Sequence, residues 1–202
     1  MIQLIYSKTI PYIKRGIRMI QSLYVSGYRP HELCIFKEEH PGIQIIKKAI
    51  ENELRSMIED GLEWVVVSGQ LGIEIWTAEV VIELKNEFPQ LKYSVITPFL
   101  DIEKNWNEQR QQQYAYIISQ ADFVTSITKK PYEAPWQFIE KDKFIIQNTD
   151  ALLLVYDEEH EGSPKYLKRL VEKYMERNPY ELFVITSYDL QIIAEELERA
   201  EW

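Results

Sequence analysis

The residues best placed to do chemistry lie in one short stretch, "VVVSGQLGIEIWTAE", from Val65 to Glu79. Three valines run into Ser68-Gly69-Gln70-Leu71-Gly72, and a helical pattern with Glu74 in its first turn follows at once. Gly69 and Gly72 let backbone approach a ligand closely, and the free N–H groups of a helix starting near Leu71 attract phosphate. A carboxylate just inside that helix is unsuited to phosphate, but it can accept hydrogen bonds from ribose hydroxyls. Phosphate beside ribose describes a nucleotide: Ser68, Gly69, Gln70 and Gly72 are expected to hold the phosphate and Glu74 the ribose. The same residues also fit an ordinary strand-to-helix turn in which Glu74 favours the helix dipole. The stretch is not the three-glycine dinucleotide fingerprint, and the chain has no nucleophile elbow, Walker lysine or zinc motif. The catalytic residue is unknown; in an enzyme, Glu74 or Glu79 could stabilise a ribosyl cation.

Three other strand ends stand out. "SGYRP" contributes Gly27, Tyr28 and Arg29, "TPF" contributes Thr97 and Pro98, and "EGSP" contributes Gly162 and Ser163. Arg29 can clamp a phosphate or serve as a lone surface cation. Trp106, Tyr132 and Trp136 can wall a base-binding pocket or pin loops to the core. Trp76, at helical spacing, reads as core. His31, His40 and His160 share no metal-ligand spacing and read as surface residues, so no metal site is expected.

The elements that must position these residues alternate along the chain. Strands are expected near Ile20–Val25, Trp64–Val67, Leu91–Ile96, in "ADFVTSIT", in "DALLLVYD" and over Leu182–Thr186. Between them run helical patterns. The first follows His40-Pro41 with an apolar face of Ile43, Ile46, Ile50, Leu54, Met57 and Ile58, and Gly61 ends it. A second carries Leu71, Ile75, Ala78 and Ile82, and a third is capped by Asp101 and runs toward Gln120. Later helices cover Trp136–Gln147, the segment from "EGSPKY" to Met175, and a C-terminal stretch capped by Ser187. Unbroken alternation implies an α/β fold: a Rossmann-like three-layer sandwich, its sheet mostly parallel and flanked by helices on both faces. Ligands bind beyond the carboxyl ends of such strands.

Length and composition agree. The 202 residues suit one domain, and 46% hydrophobic with 27% charged residues is close to the globular average. A single cysteine, Cys34, excludes an internal disulfide framework and is expected to be a buried thiol. The net charge of −9 argues against general nucleic-acid binding. No apolar run approaches a membrane span, and a cytoplasmic protein is expected. Residues 1–18 hold Lys8, Lys14, Arg15 and Arg18 and no acid, without the order of a secretory signal. They read as an extension upstream of a natural start at Met19, leaving residues 19–202 as one domain.

With these motifs in hand, the chain resembles a known group. "LYVSGYRPHELCIF", "GLEWVVVSGQLGIEIWTAE", "ADFVTSITKKPYEAPWQF" and "DALLLVYDEEHEGSPKY" are similar to the YpsA-like family of Firmicutes proteins, from about Met19 to Thr186. That family lies in a Rossmann-like superfamily with the DNA-processing protein DprA and the LOG phosphoribohydrolases. The resemblance implies a nucleotide-derived ligand of NAD, ADP-ribose or AMP type, sensed by a protein that acts through a protein partner. In it, Gly72 and Glu74 match the superfamily's glycine and acidic residue. LOG enzymes carry Pro-Gly-Gly-x-Gly-Thr-x-x-Glu, which departs from Ser-Gly-Gln-Leu-Gly-Ile-Glu here, so N-glycosidic hydrolysis is the second reading. An interaction protein with a vestigial pocket is the third.

Overall fold

The computed structural model describes residues 19–200, so the expectation about residues 1–18 lies outside the described residues. Six strands form one sheet, all parallel: β1 (Ser22–Gly27), β2 (Trp64–Val67), β3 (Lys92–Thr97), β4 (Phe123–Ser126), β5 (Ala151–Val155) and β6 (Glu181–Ile185). Their order is β4-β3-β2-β1-β5-β6, so the chain winds outward from β1 in one direction and returns to build the other half. Helices α1 (Pro41–Glu59), α2 (Ile73–Leu84), α3 (Glu108–Gln120) and α6 (Ser187–Ala200) pack on one another, while α4 (Trp136–Gln147) pairs with α5 (Pro164–Met175). The three-layer α/β reading is what the chain adopts.

Burial explains the sequence patterns. Every residue of β5 is buried, as are Val65, Val66 and Val67, which is why these strands lack alternation. Helix α2 lies against β1, β2, β3, α1 and α3 and is buried nearly all round, Trp76 included. Two carboxylates set the register at the amino ends. Asp150 Oδ2 accepts from Gln21 N, Ser22 N and Ser22 Oγ at 2.9–3.1 Å, tying β5 to β1. Asp122 Oδ2 accepts from Tyr93 N at 3.0 Å and pairs with Lys85, tying β4 to β3.

Three local expectations are corrected. Asp101 does not cap α3; it sits at a positive φ of 57° in the preceding loop, and the Asn107 side chain accepts from Arg110 N instead. At α6, Ser187 is the first helical residue, and Thr186 exchanges hydrogen bonds with Asp189. Cys34 is exposed, because it closes the 3-10 turn Pro30–Leu33 in the left-handed conformation, φ 54°, outside the core. His40, read only as a surface residue, caps α1: its Nδ1 accepts from Gly42 N at 3.1 Å.

One close approach fixes the carboxyl end of the sheet. Gly72 has φ 97°, and a Cβ there would lie 2.5 Å from the Tyr28 carbonyl oxygen, which accepts from Ile73 N at 3.2 Å. The loop after β1 is thereby pressed onto the start of α2. Gly72→Ala should lower unfolding stability by about 2 kcal/mol or more, combining backbone strain with that clash. Urea unfolding at wild-type stability would show that this loop relaxes freely.

Candidate functional site

Glu74 is the second residue of α2, and its carboxylate points under the loop that precedes it. Its side chain lies in a residue only 3% exposed. Oε1 accepts from Ser26 Oγ at 2.8 Å; Oε2 accepts from Ser68 N at 2.8 Å, Ser68 Oγ at 2.5 Å and Gln70 N at 3.1 Å. The protein's own carboxylate thus takes the Ser68 and Gln70 N–H groups, two of those that the sequence reading gave to a phosphate. Ser68 is wholly buried, and both its polar donors point to Glu74.

A cleft of about 340 Å³ opens above this arrangement at the carboxyl end of β1, bordered by the Glu74 loop, α4 and the start of α5, the helix that follows β5 across the point where the strand order reverses. Five sequence-predicted residues border it: Gly27, Arg29, Gln70, Glu74 and Ser163. Arg29 is exposed; its Nη2 donates to Gln70 Oε1 at 2.8 Å, and no carboxylate pairs with its guanidinium among the described residues. The other predicted residues stand behind the wall. Tyr28 is buried, with its hydroxyl donating to the His160 and Asp157 carbonyls and accepting from Asp157 N. Gly162 packs on the Tyr28 ring, where a Cβ would come within 2.8 Å. Thr97 Oγ1 donates to the Phe99 carbonyl, and Pro98 and Gly69 are buried. Gly72 borders a separate cavity of about 240 Å³ beside α2. Trp106 lines neither, and Tyr132 and Trp136 are exposed outside the cleft.

Helix α4 supplies what sequence reasoning missed. Lys141 and Asp142 border the cleft, and Lys141 is 1% exposed. Lys141 Nζ donates to Tyr24 Oη at 2.9 Å and to Asp142 Oδ1 at 2.5 Å, and Tyr24 Oη donates to the same carboxylate oxygen at 2.9 Å. Burial, and then the Asp142 and Glu74 carboxylates, hold the Tyr24 phenol well above its ordinary 10, so it remains a donor. A lysine followed by an aspartate inside a polar helix looks like solvated surface in a sequence. Only the sheet beneath α4 shows that the pair is enclosed.

The far wall is held by Glu32, which accepts from Arg29 N at 2.8 Å and from Ser163 N and Oγ at 2.6 and 2.8 Å. Burial pushes its carboxyl upward, but these donors outweigh it, and the pKa falls below the ordinary 4.5. A folded value below the unfolded one contributes stability above 4.5 that is lost as pH falls through the folded value. Glu32→Gln should therefore be less stable than wild type near neutrality, with the gap closing well below pH 4.5; thermal midpoints across pH test this, and a constant gap would contradict it. Glu74→Ala leaves buried N–H groups without an acceptor and should lose about 3 kcal/mol or more in urea unfolding. Glu74→Gln, which keeps one acceptor oxygen, should lose about half that. Equal midpoints for Ala and wild type would mean the loop holds its shape without the carboxylate.

Comparisons with known proteins place this geometry. The YpsA family model, described as the YspA SLOG family, matches residues 23–190. A UPF0398 protein of Lysinibacillus sphaericus is 66% identical over 178 residues, 88% of this chain and 99% of that one. A UPF0398 protein of Brevibacillus brevis is 54% identical over 181 residues, 90% of this chain and 96% of its own. Among solved structures, DNA processing protein A from Helicobacter pylori, described for its single-stranded DNA binding mode, superposes with a TM-score of 0.52. It covers 90% of this chain and 82% of its own at 16% identity, a likeness of fold alone. On the family match, which spans the sheet, the Glu74 loop and both walls of the cleft, the chain belongs to the YspA SLOG family.

Proposed function

We propose that the chain binds a nucleotide-derived small molecule, of AMP, NAD or ADP-ribose type, in the cleft at the carboxyl end of β1, and acts as a sensor or regulator through a protein partner. One observation carries this reading. A guanidinium without a carboxylate partner among the described residues, Arg29, faces the same 340 Å³ space as the buried Lys141, its half-buried partner Asp142 and the apolar walls of Phe138, Ile139 and Leu167. Arginine suits a phosphate. The apolar walls suit a sugar or base, and an ammonium beside a carboxylate offers it both a donor and an acceptor.

Binding without turnover is supported by the state of Glu74. Both of its oxygens accept hydrogen bonds from the protein's own groups, which occupies the carboxylate that a ribosyl-transfer reading would use. Net charge, −9, is no argument against a nucleic acid at a cleft edged by an unpaired arginine. Single-stranded oligodeoxythymidine therefore belongs in the same titration.

The test is thermal unfolding against AMP, ADP-ribose, NAD and the oligonucleotide. A ligand at 100 times its dissociation constant adds about 2.7 kcal/mol, a shift of about 5–10 °C for a domain of this size. A small nucleotide should produce that shift, Arg29→Ala should remove most of it, and chromatography should recover the ligand intact. A shift with the oligonucleotide alone would move the assignment to nucleic acid. Release of free base would make the chain a hydrolase.

A further inference from the structure

Arg29 and Gln70 stand between two cavities, and the second is unlike the rest of the surface. It encloses about 410 Å³ on the other side of the Arg29–Gln70 hydrogen bond and shares Arg29, Gln70, Leu71 and Phe138 with the cleft. Its cationic and titratable lining is Arg29, His31 and Arg110, its aromatic lining is Phe36, Phe99, Trp106 and Phe138, and no carboxylate lines it. In a chain of net charge −9 this is a local inversion of sign.

Arg110 lines both this cavity and the one beside α2, and it stands against the local field. It lies in the first turn of α3, where a cation opposes the helix dipole, and its guanidinium has no carboxylate partner among the described residues. The rings are arranged as walls, with Phe99 edge-on to Phe138 at 5.5 Å and 86° and the Arg29 guanidinium 5.8 Å from the Phe138 ring centre. Phe36 is 73% exposed at the rim, where it covers no core. Two guanidinium groups without a carboxylate partner among the described residues, one of them over an aromatic ring, fit a compound that is anionic and aromatic together.

Building on the reading of the cleft as a nucleotide site, we infer that this second cavity takes the other half of a two-part ligand: a dinucleotide whose phosphate bridge passes Arg29. One nucleoside would occupy the cleft beside Lys141 and Asp142. The second would place its ring among Phe99, Trp106 and Phe138, with Arg110 drawn to the anionic bridge from the outer side.

Calorimetric titration of the full chain with AMP, ADP-ribose and NAD tests this, using wild type, Arg110→Gln and Arg110→Lys. Wild type should bind NAD at least about tenfold more tightly than AMP, with ADP-ribose between, since it has the bridge but lacks the second ring. Arg110→Gln should weaken NAD about tenfold, the loss expected for one charge-assisted contact, and leave AMP within about twofold. Arg110→Lys should restore part of the NAD affinity. Equal wild-type affinity for AMP and NAD, or an Arg110→Gln effect that is absent or the same for both, would overturn the two-compartment ligand while leaving the cleft as a mononucleotide site. Failure of all three to bind wild type would overturn the nucleotide reading and this inference with it.

Discussion

The carboxyl end of the sheet depends on one buried carboxylate. Glu74 gathers donors from the end of β1 and from the loop after β2, and it does so from the first turn of the helix that packs on both strands. A buried carboxylate is costly unless its acceptor sites are filled, and four donors at 2.5–3.1 Å fill them here. The consequence is a loop with a single shape. Gln70 is thereby held where its side chain meets Arg29, and Arg29 is held where it can face both cavities. The geometry that a ligand would meet is therefore set one layer below the surface.

The second half of the sheet is fastened to the first by a matching device. Glu32, in the turn after β1, reaches the backbone and side chain of Ser163 at the start of α5, while the Tyr28 hydroxyl holds the loop that leads there. These contacts cross the point where the strand order reverses. In an open parallel sheet the helices on either side of that point diverge and leave a crevice. Here Glu32 and Tyr28 pin its rim, so the crevice is a cleft of fixed width with α4 and α5 as one wall and the Glu74 loop as the other.

The sequence showed the architecture and the address of the site more clearly than the roles within it. Trp64–Val67 and Trp136–Gln147 can be read to the residue, because a continuous valine run and an uninterrupted helical pattern each have a single structural solution. Helix starts were less legible where two capping residues compete: Asn107 and Thr186 displace Asp101 and Ser187, since loop geometry decides which side chain reaches the free N–H groups. Gly27, Arg29, Gln70, Glu74 and Ser163 do meet at the cleft. Ser68 and Tyr28 were legible as strand-end residues, yet their polar groups turn inward, a matter of side-chain direction that spacing cannot reveal. Lys141 and Asp142 were illegible because their enclosure is made by Tyr24 and α5, 117 residues and a helix away.

Charge teaches the same lesson at a different scale. The net value of −9 is a sum over the whole surface, whereas interactions between exposed charges are screened beyond about 8 Å at physiological salt. The outer cavity is lined by Arg29, His31 and Arg110 and by no carboxylate, so the charge in its wall is opposite in sign to the sum over the molecule.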